Sequence, residues 1–280
     1  MTISLYIAEN GKVTGFVGPN GAGKSTTMKI IAALETADSG MATVDGTPFI
    51  NAPFAPHALG IHLSGEALPA SVSAKALLRH AARLAHAPEK RVTELLELVG
   101  IEDAQHKKVG TFSMGMKQRL GMAIALIGDA QNIMLDEPLN GLDPHGVAWM
   151  RDFIKTLASQ GKTVLLSSHL MSELELVADH IVMLNQGHII SDADINDIHI
   201  SSHTDVEISS KNIAEVSDLL IKHEYRITPK NDRIIVHNAD PEELARLIVG
   251  HNLSLMSLIP TQTTLEATFM SLTKRQGENA

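Results

Sequence analysis

Gly18-Pro19-Asn20-Gly21-Ala22-Gly23-Lys24-Ser25-Thr26 is the stretch that decides the fold, because it fits the phosphate-loop pattern: two glycines flanking four residues, then Lys, then Ser or Thr. The pattern carries weight only between a buried strand and a helix, and both flanks answer to that. Residues 13–17, Val-Thr-Gly-Phe-Val, form a short apolar run rich in β-branched and aromatic side chains. Residues 26–34 are compatible with a helix that keeps Met28, Ile31 and Ala32 on one side. Glycines let backbone N–H groups turn inward around a phosphate, and the helix N-terminus adds positive potential. Lys24 supplies a charge able to reach the β and γ oxygens, and Ser25 a hydroxyl able to hold Mg²⁺. The bland alternative is a glycine-rich strand-to-helix turn with an incidental lysine; the flanking elements favour the nucleotide.

Composition bounds the rest. At 280 residues the chain can bury a large core, and we expect two domains. The net charge is −9 and no block of Lys and Arg stands out, so a nucleic-acid footprint is not supported. No apolar run approaches the roughly 18 residues needed to span a bilayer, and the N-terminus shows no charged-then-apolar export signal. A cytoplasmic protein is expected, unless a partner holds it at a membrane. There is no cysteine, hence no disulfide framework or thiolate metal site, which agrees with a reducing compartment. The 14 histidines are scattered rather than paired at ligand spacing.

Taken in order, residues 1–9 alternate Ile3, Leu5 and Ile7 as a half-buried strand, and Asn10-Gly11 is a hairpin signal leading into residues 13–17. After the phosphate loop a short strand is expected over 41–44, then a tight turn at Asp45-Gly46, loop or edge over 48–56, and a strand over 58–63. From Ser73 the period changes to helical. Ala74, Leu77, Leu78, Ala81 and Leu84 mark one helix capped by Ser73, Val92, Leu95, Leu96 and Val99 a second closed by Gly100, and a third runs over about 116–127. These stripes read as core packing. Residues 132–135 are a buried strand delivering Asp136-Glu137-Pro138, Asn140 to Pro144 turn into a long helix, and residues 163–167 are a strand ending at Ser168-His169. Such alternation favours a largely parallel, helix-covered α/β sheet, whose ligands sit at the C-terminal strand ends. Gly18, Asp136 and His169 all fall at such ends. A small hairpin turns at Asn185-Gln186-Gly187, residues 192–203 read as a polar linker, and the chain then alternates strand, helix, strand, strand, helix, strand, a ferredoxin-like order. Nothing in that α+β module looks catalytic, and it reads as regulatory or dimerising. A last helix is expected over 264–272.

Together the phosphate loop, Phe112-Ser113-Met114-Gly115-Met116-Lys117-Gln118, Ile133-Met134-Leu135-Asp136-Glu137-Pro138, Gly141-Leu142-Asp143 and Ser168-His169 resemble the nucleotide-binding subunits of ABC transporters. The resemblance covers residues 1 to about 190. The wording around Asn140 and over 168–173 looks most like the drug and bacteriocin export subfamily. It implies an ABC cassette over 1–195 with a helical subdomain over about 65–128, and an accessory domain over 204–275. It implies ATP and Mg²⁺ as cofactors, with the metal held by Ser25 and Asp136. It makes Glu137 the general base, His169 the histidine that touches the γ-phosphate, and Ser113, Gly115 and Met116 the turn that contacts ATP of the opposite subunit. The expected partners are a second cassette and a separately encoded membrane permease, which would place the chain on the inner face of the cell membrane.

Two departures stand against the pattern. Where the family usually carries a glutamine that touches Mg²⁺ and senses the permease, alignment on Leu59-Gly60 puts Ser64, with Glu66 nearby. The aromatic that stacks on adenine lies in the family on strands beginning well before this Met1; ahead of the loop only Tyr6 and Phe16 are aromatic. Either the start is truncated or base stacking is weak. Two alternatives stay open: a degenerate nucleotide-binding or immunity subunit with little turnover, and a soluble ABC ATPase of translation or repair. Intact Lys24, Asp136 and Glu137 argue against the first, and the lack of tandem cassettes or long coiled-coil insertions against the second.

Overall fold

The computed structural model describes residues 8–63, 68–201, 205–237, 239–261 and 264–277. The strand expected over 1–9, with Tyr6, and the Ser64 and Glu66 positions lie outside the described residues. The chain divides into two compact units, 1–193 and 194–280.

The first unit is built on β1 (Val13–Val17), wholly buried. Continuous apolar strands of this kind belong inside a sheet covered on both faces. The phosphate loop then feeds α1 (Lys24–Ile31). The short strand expected over 41–44 does not form: Met41 is exposed, Gly40 has φ +81°, and only Val44 and Thr47 bridge around the Asp45-Gly46 turn. Residues 48–56, expected as loop, hold a 3₁₀ turn (Phe49–Asn51) and lead into the one-turn helix α2 (Ala55–Ala58), with Pro56 in its first turn, where a missing N–H costs nothing. Next in the chain are β2 (Leu59–His62), α3 (Ala74–Leu84, capped by the Ser73 side chain), α4 (Glu89–Leu98) and α5 (Met114–Ala125). The helix expected from 116 starts two residues earlier, because the Ser113 side chain accepts the Met116 N–H and so caps it. Then come β3 (Asn132–Asp136), α6 (Pro144–Ser159, capped by Asp143), β4 (Thr163–Ser168), α7 (Met171–Glu175), β5 (His180–Asn185) and β6 (His188–Asp194).

The sheet order is β2-β3-β4-β1-β5-β6, with β2, β3, β4, β1 and β5 mutually parallel. Phe16, Met28, Met134, Leu165, Val182 and Leu184 fill one core cluster between sheet and α1. The consequence for function is local. In register, Asp136 stands opposite Ser167, and Val17 opposite Ser168. The C-terminal ends of β3, β4 and β1 are therefore adjacent, and the loops that leave these strands share one edge of the sheet.

Residues 192–203, whose composition suggests a polar linker, instead hold the end of β6 and α8 (Ile195–Ser201). Ile198 is buried, so one apolar residue per turn suffices to fix a helix that composition conceals. The second unit continues as β7 (Asp205–Ser209), α9 (Ile213–Lys222), β8 (Arg226–Lys230), β9 (Arg233–His237), α10 (Pro241–Gly250), β10 (Ser257–Thr261) and α11 (Leu265–Gly277). Its antiparallel sheet runs β10-β7-β9-β8, the ferredoxin-like order, around Val206, Ile208, Val216, Leu220, Ile234 and Leu244.

Candidate functional site

The loop after β1 is shaped by sterics before any ligand is considered. A Cβ on Gly18 would lie 2.4 Å from the carbonyl oxygen of Leu184, at the end of β5, so only glycine lets the chain leave the sheet here. Gly21 and Gly23 have φ of +81° and +108°, conformations that side-chain-bearing residues rarely adopt. Around Gly21 a Cβ would meet nothing within 4 Å, so the loop surface is open at that point. Gly23 caps α1 and offers no side-chain hydrogen bond to its first N–H groups. Ala22 by contrast packs into the core, and Pro19 serves through its carbonyl, which accepts the Ala22 N–H at 3.1 Å.

Lys24 is buried, and its ammonium donates to Gly18 O at 2.7 Å and Pro19 O at 3.4 Å. It also lies 3.7 Å from Glu137 Oε1. A buried cation needs oxygen acceptors around it. The loop supplies them, and they are acceptors of the kind that phosphate oxygens provide. Glu137 comes directly after β3 at φ +50°, in the left-handed region, a strain that recurs at functional positions. The turn swings its carboxylate across to β4, where His169 Nδ1 donates to Oε2 at 2.8 Å. With Nδ1 engaged by the carboxylate, Nε2 is the ring nitrogen left for a ligand of the cavity that His169 lines.

Asp136 is buried at the end of β3, and Ser167 Oγ donates to its Oδ1 at 2.5 Å. The same hydroxyl accepts the Glu137 N–H at 2.9 Å. One serine thus fixes the Asp136 carboxylate and the backbone from which the Glu137 side chain departs. On the neighbouring strand β2, the buried His62 is hydrogen-bonded to Gln118 of α5. Burial holds its pKa below the ordinary imidazole value, although the bond to Gln118 and the charge of Asp136 pull the other way.

A cavity of about 430 Å³ is lined by Asn20, Gly21, Gly23, Lys24, Ser25, Thr26, Glu137, Asn140 and His169. Its size and its floor of backbone N–H groups, one buried ammonium and small hydroxyls fit a nucleoside triphosphate. Ser25 and Thr26 are exposed hydroxyls at its wall. Among the described residues no three His, Cys, Asp or Glu side chains gather around one point. A divalent ion would accordingly share its shell with phosphate oxygens, as Mg²⁺ commonly does, and Ser25 and Asp136 are the side chains suited to it. Ser113, Gly115 and Met116 are not at this cavity. The first turn of α5 packs instead on the loop after β3, where a Cβ on Gly141 would lie 3.1 Å from Met114 Cγ and one on Gly115 3.6 Å from Leu142 Cδ2.

Sequence reasoning misses two contributors. Ser167 reads in sequence only as the end of a strand, yet its pairing opposite Asp136 is implied once β3 and β4 are taken as parallel neighbours ending together. Asn140 reads as part of a turn; its N–H donates to Glu137 O at 3.1 Å, which brings its side chain to the cavity.

Residues 2–140 match the family described as ABC transporter. The chain is 33% identical over 277 residues to YhcH, an ABC transporter ATP-binding protein of Bacillus subtilis strain 168, covering 97% of this chain and 90% of that one. It is 30% identical over 272 residues to the bacitracin transport ATP-binding protein BcrA of Bacillus licheniformis, covering 94% and 89%. It is 38% identical over 180 residues to the lantibiotic transport ATP-binding protein SrtF of Streptococcus pyogenes, covering 64% and 78%. Among solved structures, an ATP-binding subunit of an ABC transporter superposes with a TM-score of 0.63 at 26% identity, over 70% of this chain and 84% of that one.

Proposed function

We propose that this chain, which belongs to the ABC transporter family of ATP-binding subunits, binds and hydrolyses MgATP to energise export through a separately encoded membrane permease. The observation that carries the reading is the convergence of Lys24, Glu137 and His169 on one cavity, with Asp136 and Glu137 both held by Ser167.

Each residue's part comes from its place. The loop N–H groups and Lys24 bind the β and γ oxygens, and Lys24 exchanges its present carbonyl partners for phosphate. Ser25 and Asp136 would hold Mg²⁺, which when bound would supply charge neutralisation for phosphoryl transfer. Glu137 orients the attacking water and takes its proton, and Ser167 anchors the Glu137 backbone N–H from which that side chain is turned. His169 fixes the Glu137 rotamer through Nδ1 and turns Nε2 toward the cavity. Ser113, Gly115 and Met116 stand at a helix N-terminus suited to an anion. They lie away from the chain's own cavity, which supports a role in the site of a second cassette, with two chains or a related partner forming the working dimer.

No described helix is long and apolar enough to cross a membrane, so attachment to the inner face of the cell membrane would come through the permease. The names of SrtF and BcrA point to peptide antibiotics as the class of cargo. We assign the cassette to 1–195 and a regulatory or dimerising role to 204–275. The test is MgATP hydrolysis by the purified chain, with Lys24→Ala as the control for binding. Loss of MgATP binding on that substitution supports the assignment, since a triphosphate would be left without its compensating charge. Retained micromolar binding refutes it.

A further inference from the structure

The geometry points to Arg119 as a positioning residue that holds the Ser113–Met116 turn in register with the loop after the catalytic carboxylates, using Trp149 as its seat. This rests on the function proposed above.

Arg119 lies on α5, more than one turn beyond the Ser113 cap. Its Nη1 donates to the carbonyl of Val99, the C-cap residue of α4, at 2.8 Å. Its Cζ stands 3.8 Å above the ring of Trp149 on α6, a cation–π stack. Trp149 in turn stacks on Phe153 with ring centroids 4.9 Å apart and planes 19° from parallel. The guanidinium also feels the charge of Asp143, the residue that caps α6. Space is kept for it: a Cβ on Gly100 would come within 3.1 Å of Nη1. One side chain of α5 therefore ties the C-terminal end of α4 to the second turn of α6.

What it ties is functional on both sides. The first turn of α5 carries Ser113, Gly115 and Met116. The loop joining β3 to α6 begins with Glu137 and Asn140 in the cavity and ends at Asp143, whose charge reaches Arg119. Met114 against Gly141 and Gly115 against Leu142 form the upper contact between these two segments, and Arg119 over Trp149 forms the lower one. The backbone of α5 packs chiefly on β2, α3 and α4, so its relation to α6 depends on these side chains. A planar guanidinium can slide over an indole while keeping its attraction, whereas a buried apolar contact cannot. The stack therefore suits a joint that shifts when nucleotide and partner engage, and it places the shift on the only tryptophan in the chain.

The experiment compares wild type with Arg119→Met, Arg119→Lys, Trp149→Leu and Trp149→Phe. Single-chain MgATP affinity should stay within about twofold, because the chain's own phosphate loop is untouched. Turnover per chain should fall about tenfold in Arg119→Met and Trp149→Leu, which is the scale of one partly desolvated cation–π contact. Trp149→Phe should recover most of it, and Arg119→Lys part. Emission from Trp149 should shift when MgATP is added to wild type, and the shift should vanish in Arg119→Met. If Arg119→Met turns over ATP like wild type, or if Trp149→Phe is as impaired as Trp149→Leu, the inference is overturned while the functional reading stands. If wild type binds MgATP without hydrolysing it, the functional reading fails. The inference is then decided by emission alone: a shift lost in Arg119→Met upholds the coupling, and an identical shift in both overturns it.

Discussion

Ser167 and Asp136 face each other across β4 and β3, and the serine hydroxyl donates to Asp136 Oδ1 at 2.5 Å while accepting the backbone N–H of Glu137 at 2.9 Å. The residue is fully buried, so no water can replace either bond. The serine therefore holds the Asp136 carboxylate directly and Glu137 through its backbone, while the Glu137 carboxylate itself meets His169 and Lys24.

Ser167→Ala should accordingly leave MgATP affinity within a few-fold and lower turnover by about tenfold or more, as expected when a positioned base loses its orientation. Stability should fall by about 1–3 kcal/mol, the cost of leaving a buried N–H and a carboxylate oxygen short of a partner. Steady-state kinetics and urea unfolding on the same preparations check both. Unchanged turnover would show that Glu137 is held by His169 and its own turn alone.

The buried start and the exposed crest of the phosphate loop make opposite demands on glycine. On Gly18 a Cβ would meet the Leu184 carbonyl at 2.4 Å, whereas on Gly21 it would meet nothing but would sit at φ +81°. Gly18→Ala should therefore displace the loop from the end of β5, costing about 1–3 kcal/mol by overpacking and abolishing MgATP binding. Gly21→Ala should cost about 1–2 kcal/mol of backbone strain and weaken binding without abolishing it. Thermal melts with nucleotide titration rank the two; the reverse ranking would mean that φ, not the close approach, governs the loop.

Much of this fold is legible in the sequence because parallel strands buried on both faces are continuous apolar runs. Residues 13–17, 132–135 and 163–167 each read as such, and the motif residues fall one step beyond them. The ferredoxin-like module is legible from alternation alone. What escapes depends on partners that sequence does not display. Residues 41–44 have strand composition but no ladder among the described residues, and α8 hides in a polar stretch with one buried isoleucine. Ser167 gains its part only from the residue opposite it on β3. Arg119 and Trp149 are 30 positions apart with no pattern between them, and the placing of α5 beside α6 is what makes them meet.

His62 should give the stability a pH dependence of defined sign. It is buried on β2, its pKa lies below the ordinary value of 6.5, and burial is the main cause. Above that value the imidazole is neutral in both states. Below it the unfolded chain takes up a proton that the folded chain refuses, so the folded state loses stability as pH falls through 6.5 toward the lower folded pKa. The variant His62→Leu with Gln118→Met removes both the titration and the buried amide's need for a partner. Between about pH 7.5 and about pH 5.5 the wild-type midpoint in urea should drop more than that of the double variant. Parallel curves would assign the acid sensitivity to other histidines.

Glu137 concentrates the strain and the charge of the site, with φ +50°, His169 at 2.8 Å on one carboxylate oxygen and Lys24 at 3.7 Å from the other. Glutamine keeps the shape and, with its amide oxygen turned to the His169 N–H, keeps that bond, but it gives up the contact with Lys24 and cannot take a proton from water. Glu137→Gln should thus bind MgATP as tightly as wild type, or more tightly, since one negative charge beside the triphosphate is gone. Hydrolysis should slow by about 10²-fold or more, the scale of a lost general base. Unable to discharge its nucleotide, the variant should accumulate the two-chain state in which Ser113, Gly115 and Met116 of one copy close over the nucleotide of the other. His169→Ala should slow turnover less, because the carboxylate survives and loses only its aim. Light scattering with MgATP, set beside phosphate release, separates the outcomes. A variant that stops hydrolysing yet stays single-chain at saturating MgATP would remove the second copy from the working site, and one that hydrolyses normally would move the base elsewhere.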